Sequence, residues 1–264
     1  MTRTRLDPLT LYGILFIVFL YAPILLLPMF SFNDNTFAVF PLKGFTIRAY
    51  EQMVAERPLM NALKNSLIVA SVVSVMSTVF GLLAAMAATR YRLPGRGPVL
   101  GLIMLPLVIP SIILAVALLI IIRQFLDLEL TLWTVGAAHV LICVPFSMLV
   151  LVSRLEGFDR SLEEASQDLG ENGWMTFWRV TFPLMLPGVV SSLLMAFTIS
   201  FDEYVLAFFL SGIDQTLPIF LYSQLRFPSK LPLTLALGSS ILIVSTLVVV
   251  VSELIRRRGS AQTI

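Results

Sequence analysis

Charge is scarce in this sequence: Asp, Glu, Lys and Arg make up 13% of its 264 residues, 58% are apolar, and the mean hydropathy is +0.92. A soluble domain carries about 25% charged residues, and 18 basic with 16 acidic side chains are too few to cover a water-facing surface of this size. The class is integral membrane protein. A single cysteine, Cys143, excludes a disulfide scaffold and any Cys-rich metal site. A net charge of +2 excludes a nucleic-acid binder driven by a basic face. The three lysines, Lys43, Lys64 and Lys230, follow Leu, Leu and Ser, so there is no Gly-Lys-Ser/Thr phosphate loop and the chain cannot hydrolyse ATP itself. Zinc signatures and Gly-x-Ser-x-Gly elbows are also missing, so no catalytic residue, metal ligand or resident cofactor is expected.

What the chain does have is long stretches without charge. Six windows lie between Asp7 and Asp34, Lys64 and Arg90, Arg96 and Arg123, Glu129 and Arg154, Arg179 and Asp202, and Lys230 and Glu253, each with 22 to 26 uncharged residues. About 20 apolar residues cross a bilayer as a helix, and windows of this length are far too long for barrel strands. Backbone groups in lipid must be satisfied within the segment, which leaves helices. Six spans are expected at about 9–31, 66–89, 98–122, 131–153, 187–210 and 231–254, in one domain covering 1–264. The first window is longer than a signal core and no small-x-small cleavage site follows it, so it reads as a retained anchor.

Lys and Arg divide unequally between the two sides. Arg3, Arg5, Arg90, Arg92, Arg96, Arg154, Arg160, Arg179 and Arg256 to Arg258 make eleven on one, against Lys43, Arg48, Arg57, Lys64, Arg123, Arg226 and Lys230, seven, on the other. The positive-inside rule therefore predicts both termini in the cytoplasm. Segments 32–65 and 211–230 then lie outside and 154–186 inside. Residues 43–65 read as a short amphipathic helix on the outer surface, and the tail Gly259 to Ile264 as frayed.

The cytoplasmic segment has the clearest local signals. Ser161 with Glu164 fits a capping box, so a helix should begin there and run about eight residues to Gly170, a residue suited to a left-handed stop. A second short helix carries Trp174, Phe177, Trp178 and Phe182 at helical spacing before Pro183 breaks it. Two short helices joined at a glycine would form a protruding knob.

Glu164-Ala165-Ser166, three residues, Gly170, nine residues, Val180, one residue, Phe182-Pro183 resembles the Glu-Ala-Ala, Gly, Ile-x-Leu-Pro loop of permease subunits of bacterial ATP-binding-cassette importers. Ser166, Val180 and Phe182 are conservative departures from that pattern. The resemblance extends through Arg48-Ala49-Tyr50, Asn65-Ser66, Leu105 to Pro110 and Ser200-Phe201-Asp202-Glu203, and is nearest to the second permeases of the spermidine/putrescine type, whose outer loop is similar to Thr216 to Ser223. It implies an all-α, six-helix, type I importer permease fold with a cytoplasmic coupling helix, in the bacterial cytoplasmic membrane. It also implies partners: an ATPase dimer that uses ATP and Mg, a second permease, expected as a different chain with a second copy of this one as the alternative, and a solute-binding protein. Glu163, Glu164, Ala165, Ser166, Asp168, Gly170 and Pro183 become the expected ATPase-coupling residues. Ser111 stands where polyamine members carry an acidic residue, a departure that bears on the solute and leaves the class untouched.

Asp202 and Glu203 are the only adjacent carboxylates in an expected span, and with Tyr204, Ser111 and Pro110 they are the candidate pathway residues for a polyamine or related cationic or zwitterionic solute. The alternative is a pair bonded to neighbouring groups. His139 in the fourth span reads either as a proton relay or as a neutral imidazole bonded to a neighbouring helix; Cys143 reads as packing. A different function class, a stand-alone ion-coupled transporter or channel using Asp202, Glu203 and His139, is set against the importer by the knob, which an autonomous carrier has no use for.

Overall fold

The computed structural model describes residues 7–35, 37–91 and 95–260, with helix backbone alone over 248–260. Arg3, Arg5, Arg92, the side chains of Arg256 to Arg258 and the end of the tail, 261–264, lie outside the described residues. Among the described residues twelve α-helices follow one another: α1 Pro8–Ser31, α2 Arg48–Ala55, α3 Arg57–Arg90, α4 Arg96–Val108, α5 Ser111–Ile120, α6 Leu132–Glu156, α7 Ser161–Asp168, α8 Gly173–Thr176, α9 Phe182–Asp202, α10 Val205–Leu210, α11 Leu217–Gln224 and α12 Leu231–Ser260. Among the described residues the only sheet-type pairing is one bridge, Asn33 with Phe45. Among the described residues five continuous helical stretches are long and apolar enough to cross a membrane, and α4 with α5, a bent pair, makes a sixth if the two are counted as one span.

Two expected spans are corrected. The third, 98–122, is two helices meeting at 105°, because Pro110 has no N–H to continue the ladder and pushes Ile109 into extended backbone (φ −78, ψ 127). The fifth, 187–210, ends at Asp202; Glu203 turns extended and the chain restarts as α10. That span also begins earlier, since α8, a π-turn at Phe177–Thr181 and α9 form one helical stretch from Gly173 to Asp202. Pro183 therefore does not break the helix. The π-turn, in which the Phe182 N–H bonds the Phe177 carbonyl, widens the coil by one residue and accommodates a ring that would clash in a regular turn.

Among the described residues the contacts define two compact units, one within 1–60 and 221–264 and one within 61–220. In the first, α12 packs on α1 and on α2. Phe32 stacks on Phe45 and tilts against Tyr50, whose hydroxyl lies 2.7 Å from Ser31 Oγ. Lys230 Nζ pairs with Glu56 at 3.1 Å. The expected surface helix in 43–65 is α2 together with the first turns of α3.

In the second unit, α6 and α9 are the central pair. One apolar cluster gathers Val73, Leu114, Ala115, Val135, Cys143, Ala196, Leu206 and Leu210; another gathers Ala85, Ala88, Met148, Leu151, Leu155 and Met185. Small residues set the spacing, as membrane helices lack a hydrophobic drive to associate and gain from close van der Waals approach instead. A Cβ on Gly188 would sit 2.9 Å from the Arg154 side chain. Buried hydroxyls pair across helices: Thr78 Oγ1 and Ser192 Oγ are 3.0 Å apart.

Candidate functional site

The loop between α6 and α9 is a helix, a left-handed turn and a second helical stretch. α7 starts where expected, with a different cap. Arg160 holds the N-cap position, and it is the Asp159 carboxylate that accepts the Ser161 N–H at 2.9 Å; the Ser161–Glu164 box does not form. That bond, with a further one from the Ser161 side chain, holds the Asp159 carboxyl below the ordinary carboxylate range. Gly170 is left-handed at φ +93, which turns the Glu171 N–H back onto the Ser166 carbonyl at 3.2 Å, beside the bond of its own N–H to Gln167, and stops α7. Asn172 caps α8 by accepting the Met175 N–H at 2.9 Å.

The coupling residues expected from sequence divide between two faces. Glu163 and Ser166 are turned inward. Glu163 Oε2 lies 2.8 Å from Arg90 Nε at the end of α3, and Glu163 Oε1 accepts the Thr181 hydroxyl at 2.8 Å. Ser166 Oγ lies 3.2 Å from Thr176 Oγ1. The outer face carries Leu162, Ala165 and Leu169 in an exposed i, i+3, i+7 stripe flanked by Glu164 and Asp168, with Gly170 beside it. Pro183 is exposed but belongs to the span. Glu164 makes only a long, exposed pair with Arg160, at 3.7 Å. On the second arm Trp174, Phe177, Trp178 and Phe182 form a continuous ladder of ring contacts, and Glu171 pairs with Arg179.

The sequence reading missed Arg90 and Thr181. Arg90 was counted only as a cytoplasmic charge, and its partner lies 73 positions away with no local pattern to join them. Asp159 could have been found, since an Asp two residues before a helix start is a common cap.

The candidate pathway residues sit at the two interrupted spans. Pro110 and Ser111 are exposed at the α4–α5 bend, and Asp202 is the exposed last residue of α9. Glu203 is half-buried, and its Oε1 accepts the N–H groups of Val205 and Leu206 at 2.9 and 3.1 Å, capping α10. Tyr204 packs its ring on Phe208 at 5.6 Å. α10, which follows the second break, packs against α5, which follows the first. His139 is buried on α6 with Nδ1 2.9 Å from Ser200 Oγ on α9, and Cys143 Sγ lies 3.7 Å from the Ala196 carbonyl. This arrangement is the helix-bonded imidazole of the two readings. Among the described residues no three metal-ligating side chains cluster.

A multi-pass helical membrane protein with two broken spans and a capped helix-glycine-helix loop is a transporter subunit in class. Residues 77–260 match the family of binding-protein-dependent transport system inner membrane components, and the chain belongs to that family. It is 34% identical over 243 residues to the spermidine/putrescine transport system permease protein PotC of Haemophilus influenzae, covering 92% of this chain and 93% of the relative. The PotC protein of Escherichia coli is 32% identical, with 90% of each chain covered. The putrescine permease PotI of Escherichia coli is 34% identical over 79% of this chain and 76% of its own. The fold is similar to that of a bacterial ABC transporter involved in import of the acidic polysaccharide alginate, with a TM-score of 0.72 at 19% identity, covering 94% of this chain and 98% of that one. The expected type I permease fold is thus the observed one.

Proposed function

We propose that this chain is one of the two permease subunits of an ATP-driven importer for a polyamine, coupled through α7 to a separate ATPase that supplies all ATP and Mg chemistry. The observation that carries the coupling is α7 itself, whose polar residues Glu163 and Ser166 are spent on the permease while Leu162, Ala165 and Leu169 are left outward. A surface of that kind suits an apolar cleft on another protein. Both termini and 154–186 are placed in the cytoplasm by the positive-inside count. The partner permease is a different chain, and a solute-binding protein delivers the solute to the outer loops. The polyamine reading is supported by the substrates in the names of the relatives and by carboxylates at a broken span, where transporters commonly hold solute. Glu203 is occupied as a helix cap, so Asp202 is the carboxylate free to meet a cation. Ser111 weighs against a solute contact from α5 of the acidic kind.

In a Cys143→Ser background, Ala165→Cys should cross-link to the co-expressed ATPase, and Asn172→Cys should label with an impermeant maleimide from the cytoplasmic side alone. Labelling of residue 172 from outside overturns the orientation. For the solute, Asp202→Asn should raise the spermidine concentration for half-maximal uptake while spermidine binding to the isolated binding protein is unchanged; an unaltered half-maximal concentration removes Asp202 from the pathway.

A further inference from the structure

Arg90 is a basic residue in the last turn of α3, and its guanidinium is committed in three directions. Nε faces Glu163 Oε2 at 2.8 Å, Nη2 donates to the Leu155 carbonyl near the end of α6 at 3.2 Å, and the guanidinium lies over the Phe158 ring, 5.0 Å from its centroid. Its side chain is 13% exposed and that of Glu163 12%. The second oxygen of Glu163 takes the Thr181 hydroxyl from the π-turn that opens α9, so one buried ion pair joins α3, α6, α7 and the start of the fifth span. Other ion pairs around α7 differ in kind: Arg160–Glu164 is exposed on both sides and lies within one helix.

We propose that Arg90 is a positioning residue for coupling: through Glu163 it fixes α7 rigidly to the ends of α3 and α6, so that displacement of α7 moves the spans instead of only tilting a loop. Arg90 Nε meets Glu163 as an ion pair and not as a hydrogen bond, so what holds it there is charge, and a shift of α7 alone would leave two charges without partners in a poorly hydrated site. The fork geometry of Arg is what reaches carboxylate and carbonyl together; Lys has only a point charge. The inference rests on the reading of α7 as the ATPase-facing helix.

The test uses the assembled transporter, permeases with ATPase, in lipid nanodiscs. Spin labels at exposed Lys64→Cys in the Cys143→Ser background and at one exposed cysteine introduced into the partner permease report the distance between the two permeases, nucleotide-free and vanadate-trapped. The Ala165→Cys cross-link to the ATPase is measured separately. We expect the wild type to show a nucleotide-dependent distance change. Arg90→Gln should keep the cross-link and lose at least half of that change, and Arg90→Lys, which keeps the charge without the fork, should be intermediate. A purely structural role would lower the yield of complex and leave the change intact in what assembles. An undiminished change in Arg90→Gln, or none in wild type while the cross-link forms, overturns the positioning role. Absence of the cross-link in wild type overturns the coupling reading itself and the inference with it.

Discussion

Gly81 on α3 lies directly over Ser147 on α6: a Cβ built on Gly81 would stand 2.6 Å from the Ser147 Cβ and 2.9 Å from the Met148 backbone N. Neither atom is the end of a flexible side chain, so the helices themselves must part to admit even a methyl group.

Gly81→Ala should therefore destabilise the bundle by about 1–3 kcal/mol, the usual cost of overpacking. Gly101→Ala, where nothing lies within 4 Å, should be neutral or slightly stabilising. Thermal aggregation midpoints of the detergent-solubilised protein compare the two; equal midpoints would show that the α3–α6 approach is looser than described.

Glu203 makes a prediction that depends on which property of the side chain matters. Its Oε1 accepts two N–H groups at the start of α10. Glu203→Gln keeps an oxygen there and should stay near wild type in stability, whereas Glu203→Ala should lose about 1 kcal/mol, the value typical of a removed N-terminal cap. Amide exchange at Val205 and Leu206 is the measurement, with fast exchange expected in Ala alone.

At Gly170 the backbone, not space, sets tolerance, since φ is +93 and a Cβ would meet nothing within 4 Å. Gly170→Asn should be tolerated best, because Asn visits left-handed backbone readily, while Gly170→Ala and Gly170→Val should cost about 1–2 kcal/mol of local order. Gly170→Asp should reduce transport while the protein remains in the membrane. Protease sensitivity of the 161–181 segment ranks the series.

The pH dependence of α7 follows from Asp159. Its carboxyl is depressed by the Ser161 N–H and then by the Ser161 side chain, so the contribution to the helix start is present above the unfolded carboxylate range and is lost as pH falls through the depressed value. Near neutral pH the start of α7 should be insensitive to pH. Asp159→Asn, which keeps an acceptor without the charge, should remove the loss at acid pH. Exchange of the Ser161 amide measured across the acid range checks both.

Much of the architecture was legible because membrane insertion is decided by local composition. Charge-free windows located the spans starting at Pro8, Leu132 and Leu231 to within a residue or two, and the left-handed stop at Gly170 was visible from residue type. The breaks were legible only in part. Pro110 stands inside the third window, but a proline in a helix is equally compatible with a mild kink, and Pro183, which was expected to break a helix, is absorbed in a π-turn.

What the sequence by itself determined is the class, the number of apolar segments and the loop in which coupling is sought, all properties carried by short stretches of chain. Tertiary structure alone decided which face of α7 is free. Glu163 and Glu164 are indistinguishable as neighbours in sequence, yet one is buried against Arg90 and Thr181 and the other is exposed. The reason is that adjacent helical residues point about 100° apart, and which direction is inward depends on where α3 and the start of α9 end in space. The same holds for Glu203, whose carboxylate serves α10 only because the fifth span stops at Asp202.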